Sequence, residues 1–132
     1  MHHARLHISA AMQNVIDPIS TIYYKSQATL PGKMRDEQRD EYLLGMGAVP
    51  HIVLENDNKF LIDWEEGQKT GFFLDQRENR RLLAGFSKGK SVLNTFCYTG
   101  GFSVYALAAG ASLVHSVDAS QKAIDLTRKN IE

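Results

Sequence analysis

Two adjacent glycines, Gly100 and Gly101, stand between an apolar run, Ser91 to Phe96, and an alanine-rich stretch, Phe102 to Ala109. The run is short and apolar enough for a strand, the stretch has helical composition, and Gly110 is placed to cap it. A second strand, "LVHSVD" from Leu113 to Asp118, follows, and Ser120 then opens a helix that runs to Glu132. Strands alternating with helices predict parallel pairing through a right-handed crossover. The expected class is α/β (α+β overall), with the first two β-α units of a Rossmann-like domain over residues 75–132. Two parallel strands cannot cover both faces of their own sheet, and no glycine or proline ends the last helix. The sequence therefore reads as a piece of a longer protein or as a truncated copy.

The preceding residues have another character. Ile8, Ala11, Met12, Val15 and Ile16 share one helical face, and Asp17-Pro18 stops it, giving a short N-terminal helix over 1–18. Residues 19–74 read as a small antiparallel module. In it, "STIYYKSQA" is a strand that Pro31-Gly32 ends, and "KMRDEQRDE" (Lys33 to Glu41) is a solvated loop or helix face. Asn56-Asp57-Asn58 turns a hairpin whose Phe60, Ile62 and Trp64 alternate onto one face, and "KTGFFLD" returns as a further strand. Asp75 with Glu78 looks like a capping box for a helix that buries Leu82, Leu83 and Phe86 behind Arg77, Arg80 and Arg81.

Lys plus Arg balances Asp plus Glu at 15 each, so no global field announces nucleic acid or an acidic membrane. The only local basic cluster is Arg77, Arg80 and Arg81 with Lys88 and Lys90, which helix solvation explains as well as RNA does. One cysteine among 132 residues excludes an internal disulfide and a multi-thiolate zinc site, and the five histidines have no ligand spacing, so no metal is expected. "MHHARLHIS" lacks the apolar core of a signal peptide, so the expected location is the cytoplasm, without a membrane.

The glycines and Asp118 point to a ligand. Gly100 and Gly101 let backbone approach a small molecule at a helix N-terminus. Asp118, at the end of the next strand, can accept hydrogen bonds from two ribose hydroxyls. Dinucleotides usually require G-x-G-x-x-G, and here Phe102, Ser103 and Val104 follow Gly101. The missing third glycine argues against NAD or FAD, and the absence of G-K-[ST] excludes a P-loop. S-adenosyl-L-methionine has a ribose and no phosphate, so such a turn would suffice. A plain chain reversal with a solvated Asp118 is the alternative.

At these residues a resemblance appears. "EEGQKTGFFLDQRENRRLL", "VLNTFCYTGGFSVYALAAGA" and "SVDASQKAIDLTRKNIE" resemble segments of class I S-adenosylmethionine-dependent methyltransferases that modify ribosomal RNA. The closest likeness is to the YccW-like large-subunit cytosine carbon-5 family. The resemblance implies that the stretch Thr70, Gly71, Phe72, Asp75, Gln76 and Arg77 borders the cofactor. It also implies that Phe96, Tyr98, Thr99, Gly100 and Gly101 wrap the methionine part, and that Asp118, with Ala119 and Ser120, holds the ribose. Ribosomal RNA would be the substrate of the full-length parent. The family's N-terminal RNA-binding domain and the later part of its methyltransferase domain have no counterpart here.

In that family a thiolate adds to cytosine carbon 6, so that carbon 5 becomes nucleophilic toward the methyl group. Cys97, without an adjacent His, Lys or Arg, reads as a packed residue and not that nucleophile, so no catalytic residue is assigned. The functional expectation is a fragment of a methyltransferase that is inactive alone. The rival readings are a nicotinamide-dependent oxidoreductase fragment and a non-catalytic module that forms a homodimer.

Overall fold

The computed structural model describes residues 2–32 and 39–132, in two compact units, Met1–Val49 and Pro50–Glu132. Most of the charge run from Lys33 lies outside the described residues. In the first unit a turn of 3-10 helix (His2–Ala4) leads into α1 (Arg5–Val15). Ser9 is the buried residue of α1, whereas Val15, counted in its apolar face, is exposed. Strand β1 (Ile22–Tyr24) pairs antiparallel with β2 (Glu41–Leu44), and the rings of Tyr23 and Tyr42 lie 4.8 Å apart across the pair. Asp40 stitches the segment before β2 to the end of β1's connection, accepting from the backbone N–H groups of Ser26 and Gln27 at 2.7 and 2.8 Å. The "STIYYKSQA" strand is shorter than expected because Gln27–Thr29 turns into 3-10 helix. Strand β2 begins at Glu41, the last residue of the charge run, and continues through Tyr42, Leu43 and Leu44, to which sequence reasoning assigns no element.

The second unit holds the hairpin β3 (His51–Glu55) and β4 (Asn58–Ile62), then α2 (Arg77–Ser87), β5 (Ser91–Thr95), α3 (Gly101–Ala108), β6 (Leu113–Val117) and α4 (Gln121–Ile131). Asn56 and Asp57 turn the hairpin at φ 47° and 67°, the left-handed conformations that a two-residue hairpin turn demands. Strands β5 and β6 are parallel, with Ser91 opposite Leu113 and Thr95 opposite Val117. Gly110, at φ +86°, closes α3, and the Ser120 hydroxyl accepts from Ala123 N–H at 3.3 Å to cap α4. The α/β class expected from the alternation of strands and helices is thus the observed one.

Phe60, Ile62, Phe72 and Tyr105 form the core, with Trp64, Val53, Ala84 and Val104 packed around them. The hairpin therefore belongs with the β-α units, and the division falls at Val49/Pro50 and not after Leu74. Phe60 supplies the reason: its ring lies 4.8 Å from that of Phe72 and 6.2 Å from that of Tyr105 in α3.

Three local expectations are corrected. "KTGFFLD" is not a strand. Lys69 and Gly71 take φ +49° and +81°, which breaks any extended run, and the segment coils into a 3-10 turn, Leu74–Gln76. That extra turn moves the helix start past Asp75, so no capping box forms: the N-cap of α2 is Gln76, without a side-chain bond. Of the expected buried stripe of α2, Leu83 is half-buried but Leu82 and Phe86 are not. Leu82 and Phe86 are 63% and 73% exposed, while Arg80 is only 2% exposed and Ser87 is buried one turn-pair later. The Arg80 guanidinium grips Glu55 of β3 with both ends, Nε to Oε1 and Nη2 to Oε2 at 2.8 Å each, and donates a third bond to Phe73 O at 3.1 Å. An ion pair this satisfied outcompetes a leucine for the inward position, and it removes Arg80 from the basic cluster.

Leaving either member of that buried pair alone costs about 3–5 kcal/mol. Glu55→Ala should lower the urea midpoint of the 50–132 unit by a corresponding amount, whereas Glu78→Ala, on the exposed side of α2, should leave it within about 0.5 kcal/mol of the parent value.

Candidate cofactor site

The turn between β5 and α3 carries the site. Phe96, Tyr98 and Gly100 all have positive φ, at 57°, 47° and 75°, so the chain coils tightly between strand and helix. Five hydrogen bonds fix this conformation. Cys97 N–H donates to Val117 O of β6 at 3.0 Å, and Gly100 N–H closes back on Cys97 O at 2.7 Å. The Asp118 carboxylate reaches across from the end of β6, one oxygen accepting from Tyr98 N–H at 3.0 Å and the other from Ser120 N–H at 2.9 Å. From the far side, the Tyr98 hydroxyl accepts from Gln68 N–H at 2.8 Å.

The glycines answer first to packing. A Cβ on Gly100 would stand 2.8 Å from Thr127 Cγ2 of α4, and one on Gly101 would stand 3.1 Å from Arg80 Cδ. Gly71 is similarly shut in, since a Cβ there would meet Asp63 O at 2.4 Å. Cys97 is buried, its Sγ 3.5 Å from Thr127 Oγ1. Its little exposed surface forms part of the wall of the smaller cleft beside the turn.

Two clefts flank the turn. One, of about 330 Å³, is walled by Phe96, Tyr98, Thr99 and Gly101 of the turn and by Phe73, Asp75 and Gln76 of the segment before α2. The other, of about 530 Å³, is walled by Phe96, Tyr98, Asp118 and Ser120 together with Asp63 and Glu66. Lys122, bonded to Glu66, stands at the edge of this second cleft, and that bond raises the lysine's pKa above its ordinary value. Phe73 and Tyr98 meet edge to face at 5.3 Å between the clefts, and Phe96 is 87% exposed above them.

The structure thus gathers Phe96, Tyr98, Thr99, Gly101, Asp75, Gln76, Asp118 and Ser120 around one turn. Ala119 is exposed between Asp118 and Ser120. Gly100 faces Thr127. Thr70, Phe72 and Arg77 line a separate hollow of about 310 Å³ against β3, where Phe72 is core and the Thr70 hydroxyl donates to Phe72 O at 2.7 Å. Sequence reasoning missed Thr127 and Asn130 of α4: the Thr127 hydroxyl donates to Tyr98 O at 2.9 Å, and Asn130 Nδ2 donates to Thr99 O at 2.8 Å. The helical pattern of "DLTRKN" carries no mark of this.

The electrostatics favour an anion at Asp118. The N–H groups of Ser120 and Tyr98 hold its pKa below the ordinary 3.8. With each oxygen taking one backbone proton, the carboxylate keeps lone pairs free for two further donors. Asp75 is also lowered, by the carboxamide of Gln76.

A family model described as S-adenosylmethionine-dependent methyltransferase matches residues 13–132. The chain belongs to that family. Its cofactor is S-adenosylmethionine, and the glycine turn with an acid at the next strand end accords with that. Ribosomal RNA large subunit methyltransferase I of Aeromonas hydrophila is 44% identical over 117 residues, 87% of this chain and 30% of that protein. The protein of the same name from Tolumonas auensis is 39% identical over 131 residues, 98% of this chain and 32% of that one. The chain thus spans about a third of the length of these relatives. A SAM-dependent methyltransferase of Streptococcus mutans superposes with TM-score 0.79 at 32% identity, over 98% of this chain and 32% of that chain. The crystal structure of SMU.776, a methyltransferase complexed with SAH, superposes with TM-score 0.80 at 31% identity and the same coverage. Among the described residues no helix is long and apolar enough to cross a membrane.

Two measurements test this geometry. Gly100→Ala forces a Cβ onto Thr127 at positive φ and should destabilise the 50–132 unit by about 2 kcal/mol or more. Because folding lowers the Asp118 pKa, its contribution to stability is present above about pH 3.8 and is lost as the pH falls below that value. Asp118→Asn should flatten the stability-versus-pH curve in that acid window, read from urea midpoints between about pH 5 and 2.

Proposed function

We propose that this chain supplies the cofactor-holding part of a methyltransferase acting on large-subunit ribosomal RNA, with cytosine carbon 5 as the methylated atom. The observation that carries the reading is the preformed turn with Asp118 fixed beside it by Tyr98 N–H and Ser120 N–H. The names of the relatives from Aeromonas and Tolumonas support the RNA class. The "TGFFLDQR" and "TFCYTGGF" stretches support the cytosine subclass.

In this reading Asp118 accepts hydrogen bonds from the two ribose hydroxyls, with Ala119 and Ser120 beside it. The backbone of Phe96 to Gly101 lines the methionine end, and Asp75 and Gln76 offer a carboxylate and a carboxamide across the cleft of about 330 Å³. Phe73 and Phe96 exclude water from the faces of the ligand. S-adenosylmethionine, when bound, supplies an electrophilic methyl group on a sulfonium. In this reading Cys97, which packs against Thr127 at the wall of that cleft, is not the thiol that attacks the base. The chain therefore binds and orients, and the nucleophile comes from elsewhere in the parent enzyme.

Calorimetry of the 132-residue chain with SAH and, separately, with NAD tests the cofactor. SAH should bind, NAD should not, and Asp118→Ala should weaken SAH binding about 10- to 100-fold. NAD binding tighter than SAH binding would sink the reading. Methyl transfer from labelled S-adenosylmethionine to ribosomal RNA should be absent with this chain alone, and measurable transfer would refute the assignment of Cys97 as a bystander.

A further inference from the structure

The carboxamide of Asn130, in the last turn of α4, makes three hydrogen bonds at once. Its Oδ1 accepts from Leu61 N–H at 2.6 Å, and its Nδ2 donates to Leu61 O at 3.3 Å and to Thr99 O at 2.8 Å. The first two satisfy both backbone groups of one residue on the edge of β4 that faces away from β3, as a neighbouring strand would. The third lands on the turn. One helical turn earlier, Thr127 donates to Tyr98 O, the preceding carbonyl of the same turn, and its methyl abuts Gly100.

Only a carboxamide offers one acceptor and two donors in a plane. An aspartate of the same shape would set a carboxylate oxygen against the Leu61 and Thr99 carbonyl oxygens, and that repulsion would push the side chain off Leu61 N–H as well. Among the described residues Asn130 is the single side chain bonded to both the hairpin and the turn. We propose that Asn130, assisted by Thr127, is a positioning residue for cofactor binding: it holds the Thr99 and Tyr98 carbonyls turned into α4. The N–H groups of Cys97, Tyr98 and Gly100 are bonded within the fold, so those this arrangement leaves for a ligand are the N–H of Thr99 and those of the start of α3. The inference rests on the reading of Phe96 to Gly101 as the cofactor turn, and it deepens that reading by making the turn's shape depend on the hairpin through one side chain.

Two readouts on the full chain separate the ideas. Amide hydrogen exchange without ligand reports the clamp itself. In Asn130→Asp the amides of Gly100 and Leu61 should exchange at least about tenfold faster, while those of β5 and β6 keep the parent's protection. SAH affinity reports the consequence, and should fall about tenfold in Asn130→Asp and by less in Thr127→Val, with Lys129→Ala unchanged. Exchange at Gly100 and Leu61 identical to the parent would overturn the proposal whatever SAH does. A uniform rise across residues 50–132, or loss of the cooperative unfolding transition in both variants, would likewise overturn it, by assigning Asn130 to the fold alone. Selective exchange in a parent chain that does not bind SAH would uphold the clamp and defeat the proposed function instead.

Discussion

The pairing of Arg80 with Glu55 is the interaction on which the second unit depends. Its guanidinium ties α2 to β3 and, through Phe73 O, to the segment that walls the smaller cleft beside the turn. The Arg80 plane lies 4.4 Å from the Phe72 ring, and its Cδ sits against Gly101, the first residue of α3. Tyr105 completes the arrangement: its hydroxyl donates to Glu55 Oε1 at 3.0 Å and accepts from Asn56 Nδ2 at 2.9 Å. Burial raises the Tyr105 pKa above 10, so the phenol stays a donor at any ordinary pH. An ion pair in an apolar core is weak evidence for net stability, because desolvation offsets most of its attraction. Its value here is geometric: three N–H groups of the guanidinium and both oxygens of the carboxylate are bonded, which holds α2, α3 and the hairpin in one relative arrangement, and that arrangement sets the spacing around the turn.

A second polar cluster, centred on the buried Ser103, performs the same service on the sheet. Asn94 of β5 donates to Ser103 of α3 at 2.8 Å, and Ser103 shares a further bond with Ser116 of β6 at 2.8 Å. Ser103 is fully buried. These residues hold α3 over the two strands in a register that apolar contacts would leave free to slide, and the start of α3 is the start of the site.

How much of this was legible in the sequence depended on how local the cause was. The hairpin turn at Asn56 and Asp57, the caps at Gly110 and Ser120, and the strand-turn-helix at Gly100 each answer to residues a few positions apart, and each formed as expected. Arg80 did not follow its helical pattern, because its partner is Glu55, which no periodicity in α2 reveals. The "KTGFFLD" stretch has the apolar composition of a strand, but Lys69 and Gly71 take positive φ and Gly71 is packed against Asp63, a contact that composition does not record. In the site itself, the turn and Asp118 were visible as a spacing. Thr127 and Asn130 were not, since a polar residue on an amphipathic helix looks the same whether it meets water or a carbonyl.

This difference bears on what the glycines are for. Read from the sequence, Gly100 and Gly101 make room for a ligand. In the fold they make room for Thr127 and Arg80, and the left-handed turn between them exposes backbone on one side because its other side is fully occupied. The two readings are compatible, because a turn whose rear carbonyls are already bonded to α4 cannot collapse onto its own front. Binding there would require little reordering of the protein, and the ordering cost that flexible loops impose on affinity would already have been met in folding. The proposed cofactor site is in this sense a product of packing behind it, and the shape of its turn is set by Thr127, Asn130 and Arg80 on the side away from the clefts.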